Sequence, residues 1–190
     1  MSGVEPFDAV ILAGGRARRL GGVDKPGLTV GGRSLAERVA SAVPGARRLI
    51  VVGPERGIPG ARHTREDPPG GGPVPALAAG LALVDAPWLA LLAGDLPFLS
   101  ADHVDALRAA AGSARGAVLT DDTGREQWLI GVWRTGVLGA AVAAYRGDSL
   151  RGLLAPLDPV RLAPAGRLAW FDCDTPEDVE RARREHGRAG

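Results

Sequence analysis

The chain has 190 residues, 45% of them hydrophobic and 24% charged, with a formal net charge of +1; this is the profile of a folded globular protein rather than a disordered one. So even a charge balance excludes a global field that would draw the chain onto nucleic acid or an anionic membrane, and any anion must be held by a local site. Cys173 is the single cysteine, which excludes an internal disulfide or a cysteine-built zinc cluster, and no apolar run approaches a bilayer span. Met1 to Leu12 shows no basic region followed by an apolar stretch, so a signal peptide is not expected and a cytoplasmic protein is.

Taken in chain order, Phe7 to Leu12 reads as a buried strand that breaks at Gly14-Gly15. Ser34-Leu35-Ala36-Glu37 has the form of a capping box and is followed by Leu35, Val39, Ala42 and Val43 at helical spacing. Leu49 to Val52 is a second strand, ended by Gly53-Pro54. Pro68 to Pro75 reads as a Gly/Pro loop leading into a helix with Leu77, Leu81 and Val84 on one face. Trp88 to Ala93 is a third buried strand, stopped by Gly94-Asp95-Leu96-Pro97, after which Ser100 caps a helix turning Val104, Leu107 and Ala111 inward. Ala117 to Thr120 and Leu129 to Trp133 are further strands, and Thr175-Pro176-Glu177-Asp178 opens the last helix.

Strands separated by helices predict right-handed βαβ crossovers and an α/β fold: a single Rossmann-like three-layer domain over residues 1–190 with a mostly parallel central sheet. Ligands of such sheets sit beyond the carboxyl ends of the strands. Three segments are expected at that edge: Gly14 to Lys25, Asp67 to Gly72, and Gly94 to Pro97.

The first of these carries Gly14, Gly15, Gly21 and Gly22 together with Arg16, Arg18, Arg19 and Lys25. Glycines let the backbone approach a ligand and aim N–H groups at one anion, and the cations add charge, a combination that suits a triphosphate. Two common phosphate motifs are absent. Lys25 is preceded by Asp24 and followed by Pro26, which is no Walker loop, and no Gly-x-Gly-x-x-Gly spacing follows Gly14. Of the 23 Lys and Arg residues only Lys25 is lysine, leaving 22 arginines. The lone ammonium marks a place where a compact charge fits and a forked guanidinium does not. The plainer alternative is a solvated surface turn.

Asp95 stands just past a buried strand, and Mg²⁺ prefers one or two carboxylates with water and phosphate oxygens, so Asp95 is a candidate metal ligand; the alternative is a turn residue before Leu96-Pro97. Asp172-Cys173-Asp174 reads as a strand with both carboxylates on one face and Cys173 turned to the core. Asp174 either supplements the metal site or only helps start the last helix. His63, His103 and His186 have no metal-ligand spacing, and Trp128 and Trp133 read as core.

The stretch Leu12 to Lys25 resembles the signature loop of molybdenum cofactor guanylyltransferases, a group related to molybdopterin cytidylyltransferases and sugar-1-phosphate nucleotidyltransferases. The resemblance extends through Glu66-Asp67, Gly94-Asp95-Leu96-Pro97 and Asp174-Thr175-Pro176-Glu177. It implies transfer of GMP from GTP to the terminal phosphate of molybdopterin with release of pyrophosphate, with Mg²⁺ as cofactor. It implies Lys25, Arg19 and Asp95 as catalytic residues, and Leu12, Ala13, Gly14, Gly15, Lys25, Asp67 and Asp95 as nucleotide-binding ones. Asp95 is the metal ligand it implies, while Asp174 stays a candidate supplement from its own place in the sequence. A nucleotide-binding half over about 1–100 and an acceptor half over about 101–190 follow, in a monomer or small homo-oligomer with no nucleic-acid or membrane partner. The chain departs from the family at Gly53, Asp172 and Asp174, where relatives carry Asn. A cytidylyltransferase, a sugar-1-phosphate enzyme and a non-catalytic nucleotide-sensing or scaffold domain stay open as alternatives.

Overall fold

The computed structural model describes residues 5–14, 24–163 and 169–189. Its centre is a seven-stranded sheet in the order β5-β4-β1-β6-β8-β7-β9. The strands are β1 (Phe7–Leu12), β4 (Leu49–Val52), β5 (Ala61–Thr64), β6 (Trp88–Ala93), β7 (Gly116–Thr120), β8 (Glu126–Arg134) and β9 (Val160–Leu162). A separate hairpin joins β2 (Thr29–Val30) to β3 (Arg33–Ser34). The helices are α1 (Leu35–Ser41), α2 (Pro73–Leu81), α3 (Ala101–Ala111), α4 (Thr135–Ala144), α5 (Leu150–Leu154) and α6 (Pro176–Ala189).

Strand alternation places a core on each face of the sheet. Ala9 and Ile11 of β1 and Ala90 and Leu92 of β6 meet Val39 of α1 and Leu107 of α3. Val10 between them, with Leu89 and Leu91, meets Leu77 of α2, Leu138 of α4 and Leu153 of α5. β1 and β6 are covered on both faces, which is why they read as continuous apolar runs rather than alternating ones. A third cluster joins Val30 and Leu35 to Phe171, Cys173, Val179 and Ala182, which folds the C-terminal segment back onto the small hairpin.

The sheet is mostly parallel, as predicted, because β5, β4, β1 and β6 run together. One strand departs. β8 is antiparallel to both β6 and β7. The link between β7 and β8 is a hairpin and not a helical crossover, because Asp121 closes it: its Oδ1 accepts from the backbone N–H of Thr123 at 2.9 Å and of Arg125 at 3.0 Å. The second helix also begins earlier than expected. α2 starts at Pro73, inside the segment read as loop, because a proline at the first helical position loses no intrahelical bond; Val84 falls beyond its end. α1 and α3 begin where their caps predict, with Glu37 N–H donating to Ser34 Oγ at 3.2 Å and Ser100 N–H to His103 Nδ1 at 3.1 Å. No described helix is long and apolar enough to cross a membrane.

Candidate active site

The carboxyl ends of β5, β4, β1 and β6 lie side by side, and the ladder continues one residue past them. Gly53 N–H donates to Thr64 O at 2.9 Å, Ala13 N–H to Val52 O at 2.8 Å, and Gly94 N–H to Leu12 O at 3.0 Å. Ala13 is thereby wedged between two glycines. A Cβ on Gly53 would lie 2.8 Å from the Ala13 carbonyl carbon and from Gly14 N, at a φ of +141° that side chains rarely adopt. A Cβ on Gly94 would lie 3.0 Å from Ala13 Cβ. No side chain fits at 53 in this geometry. The Ala13 amide is also engaged within the sheet, and Gly14, the other described residue just past β1, is exposed.

Lys25 opens a short 3₁₀ turn, Lys25–Gly27, whose Pro26 is buried. Its Nζ lies 2.6 Å from Asp95 Oδ2 and also donates to Asp174 Oδ1, a residue 149 positions away. The Lys25 and Asp95 side chains are only 14% and 18% exposed, whereas Asp174 is half exposed. Each has its own local anchor: buried Leu96 and Leu99 flank the turn carrying Asp95, and buried Phe171 and Cys173 precede Asp174. At neutral pH one ammonium and two carboxylates leave this cluster with a net charge of −1.

Burial pulls the Lys25 ammonium towards losing its proton, but Asp95 and Asp174 outweigh burial and hold its pKa above the ordinary lysine value. Desolvation, followed by the charges of Asp174 and Asp95, pushes the Asp172 carboxyl up, with Lys25 opposing. Burial, then the charges of Asp95 and Asp178, raises the Cys173 thiol to about 12. The segment 171–174 forms no strand, which corrects the reading of Asp172-Cys173-Asp174 as a strand. The alternation survives, because Phe171 and Cys173 are held in the third cluster while Asp172 keeps contact with solvent, although the neighbouring protein desolvates its carboxyl in part.

The other expected residues divide. Asp67 is exposed on the loop after β5, at the same edge, but its carboxylate is not among the ion-pair partners of Lys25. Its neighbour Glu66 is buried, and Glu66 Oε1 accepts from Gly70 N–H at 2.8 Å. Gly15 and Arg19 lie outside the described residues. Trp133 is fully buried in the core, as read. Sequence reasoning missed Arg56. Its guanidinium donates to Ala13 O at 2.8 Å and grips both carboxylate oxygens of Asp24. Nothing local separates Arg56 from the other arginines of the chain, so only its position after β4 could have drawn attention to it.

The donor set suits a hard divalent cation. Asp95 Oδ2 and Asp174 Oδ1 both meet the Lys25 ammonium, the three groups together carry a negative charge, and a hard divalent cation here would take the remaining carboxylate oxygens; the described residues hold no group of three or more His, Cys, Asp or Glu placed for a metal. One or two carboxylates with the rest left to water and phosphate is the pattern Mg²⁺ takes.

Residues 9–176 match the MobA-like NTP transferase domain. The chain belongs to this family. A probable molybdenum cofactor guanylyltransferase from Natronomonas pharaonis is 30% identical, over 92% of this chain and 95% of that protein. One of the same description from Synechococcus elongatus is 33% identical, over 90% and 95%. In fold, the chain resembles the molybdopterin-guanine dinucleotide biosynthesis protein A of Archaeoglobus fulgidus, with a TM-score of 0.74 at 16% identity over 95% of this chain and 99% of that one. As a MobA-like NTP transferase the chain is a nucleotidyltransferase, and the edge holding Lys25 and Asp95 is its candidate active site.

Proposed function

We propose that the protein transfers GMP from GTP to the terminal phosphate of molybdopterin, releasing pyrophosphate. The observation that carries the reading is Lys25 Nζ held between Asp95 and Asp174, at the strand edge where Gly14 is exposed. The ~30% identical relatives bearing the guanylyltransferase name support the choice of nucleotide and acceptor.

In the proposed reaction an oxygen of the acceptor phosphate forms a bond to the α-phosphorus in line as the bond to pyrophosphate breaks. A phosphate monoester has a second pKa of about 6 and is largely dianionic near neutral pH, so no general base is required. The protein's task is positioning and charge neutralisation. Lys25 has three N–H donors and two carboxylate partners, which leaves one donor for a phosphate oxygen. Gly14 and Gly15 offer backbone N–H groups to the triphosphate, with Leu12 and Ala13 setting their place at the strand end. Arg19 adds positive charge to the same loop, and Asp67 is assigned to the guanine side. Asp95 and Asp174 would hold Mg²⁺, which supplies charge neutralisation on the phosphates and the leaving pyrophosphate when bound. We assign residues of about 1–100 to the nucleotide and about 101–190 to the acceptor within one domain, with Asp174 reaching back across that division.

A pyrophosphate-release assay tests the reading, with GTP, CTP, ATP and UTP offered in turn with Mg²⁺ against molybdopterin and against sugar 1-phosphates. Release confined to GTP with molybdopterin is the expected result. Release with CTP, or with a sugar 1-phosphate, assigns one of the alternative transferase activities instead. Nucleotide binding without release under any pairing identifies a binding domain.

A further inference from the structure

We infer that Arg56 is a positioning residue that sets Lys25 relative to the end of β1, and that it does so by gripping Asp24; the inference rests on the proposed role of Lys25 at the triphosphate. Arg56 lies on the turn after β4, and its side chain is 7% exposed. One planar guanidinium takes the Ala13 carbonyl oxygen at 2.8 Å through Nη2 and the Asp24 carboxylate through both Nη1 and Nη2. Ala13 is the residue directly after β1, and Asp24 is the residue directly before Lys25. The grip therefore connects the strand end to the chemistry-bearing lysine without passing through the segment between them.

The surroundings are shaped for this pair. Gly27 packs against it, and a Cβ there would lie 3.2 Å from Arg56 Nη1 and closer still to the Asp24 carboxylate. Immediately after Asp24 the backbone is fixed by the 3₁₀ turn, in which Gly27 N–H donates to Asp24 O at 3.1 Å and Leu28 N–H to Lys25 O at 3.0 Å. Lys25 is thus held at both ends: its backbone by Asp24 and the turn, its Nζ by Asp95 and Asp174.

The sheet does not depend on this contact. β1 and β4 are already joined by four register pairs, Ala9 with Leu49 through Leu12 with Val52. What Arg56 adds is confined to Asp24 and Lys25. It also keeps the Asp24 carboxylate engaged, and a freed carboxylate next to Lys25 would compete for its ammonium and repel a triphosphate. A planar fork is required for a bidentate carboxylate grip with a third bond to a carbonyl, and lysine cannot reproduce it.

The test uses the full chain with Arg56→Ala, Arg56→Lys, Asp24→Asn and the double variant Arg56→Ala/Asp24→Asn, read by kcat, KM for GTP and thermal midpoint without nucleotide. Misplacing a reacting group by about 1 Å costs on the order of 10²-fold in rate, so Arg56→Ala should lose about that in kcat/KM while its midpoint shifts by only a few degrees. Arg56→Lys, which keeps charge without the fork, should lose about tenfold or more. Because Arg56 acts through Asp24, the double variant should match or exceed Arg56→Ala in kcat/KM. A double variant that loses the product of the two single losses, or Arg56→Lys at wild-type activity, overturns the inference. Should Arg56→Ala fail to fold, Arg56→Lys and Asp24→Asn decide: both at wild-type kcat/KM overturn it, and a loss in kcat with unchanged midpoints supports it. Failure of the underlying reading looks different, because the wild-type protein itself then releases no pyrophosphate from GTP.

Discussion

Two edges of one sheet hold buried or half-buried carboxylates, and they hold them in opposite ways. At the amino edge, Asp8 of β1 is 1% exposed, and its carboxylate accepts backbone N–H groups from Arg48 at 3.0 Å, Asp85 at 2.7 Å and Ala86 at 3.0 Å. Those donors belong to the approach to β4 and the approach to β6, so Asp8 ties three neighbouring strands together. At the carboxyl edge, Asp95 and Asp174 are instead partnered by the Lys25 ammonium. A peptide N–H cannot leave without moving the chain. An ammonium on a flexible stem can exchange one oxygen partner for another. The amino-edge carboxylate is therefore part of the scaffold, and the carboxyl-edge pair is held by a partner that can move, as the proposed chemistry requires.

The comparison is broken most severely at Asp95. Asp95→Ala should lower pyrophosphate release by about 10²–10³-fold or more while the circular dichroism spectrum stays native, since the loss is electrostatic and local. Near-normal turnover would remove Asp95 from the proposed chemistry. Asp8→Ala should do the reverse. It strands three backbone donors and costs roughly 3 kcal/mol by urea titration, with kcat per folded molecule unchanged. A stable Asp8→Ala protein, or a folded but inactive one, would erase the distinction between the edges.

Lys25→Arg keeps the charge and changes its shape, and about a tenfold loss in kcat/KM is expected from the steric mismatch. The pH profile sharpens the same point. Because the folded pKa of Lys25 is raised, its ion-pair stabilisation is fully present below the unfolded value of about 10.4 and is lost only as pH rises through the folded value. Stability attributable to Lys25 should therefore be flat between about pH 6 and pH 9, as read from denaturant midpoints of wild type against Lys25→Met; a decline in that interval would contradict the pairing. The smallest effect concerns Cys173. With its thiol raised to about 12, the native protein should react with a thiol reagent only slowly at pH 8, and at full rate after unfolding.

Much of the candidate site was legible in the chain order. Asp95 was placed by a buried strand ending in Gly-Asp-Leu-Pro, and Lys25 by being the one lysine after a glycine-rich break. The segment 171–174 was misread as a strand because alternation of buried and exposed residues does not require a pairing partner. Here the third cluster, not a ladder, holds Phe171 and Cys173 inward. The reversal of β8 was within reach through the Asp121 turn, but alternating elements read as crossovers unless the turn chemistry is weighed. Arg56 had no local signature at all.

By itself the sequence determined β1, β4, β6, β7 and β8, the helices α1, α2, α3 and α6, the caps of α1 and α3, and the glycines beyond β1 and β6, because these rest on periodicity and turn chemistry within a few residues; the shorter β5 and β9, the β2–β3 hairpin, α4 and α5 were not read from it. Only the tertiary structure decided that Asp174 shares Lys25 with Asp95, that Arg56 grips Asp24 beside Ala13, and that Gly53 has no room for a Cβ. Those facts depend on contacts between segments far apart in the chain, and no local pattern of residues encodes the path that brings such segments together.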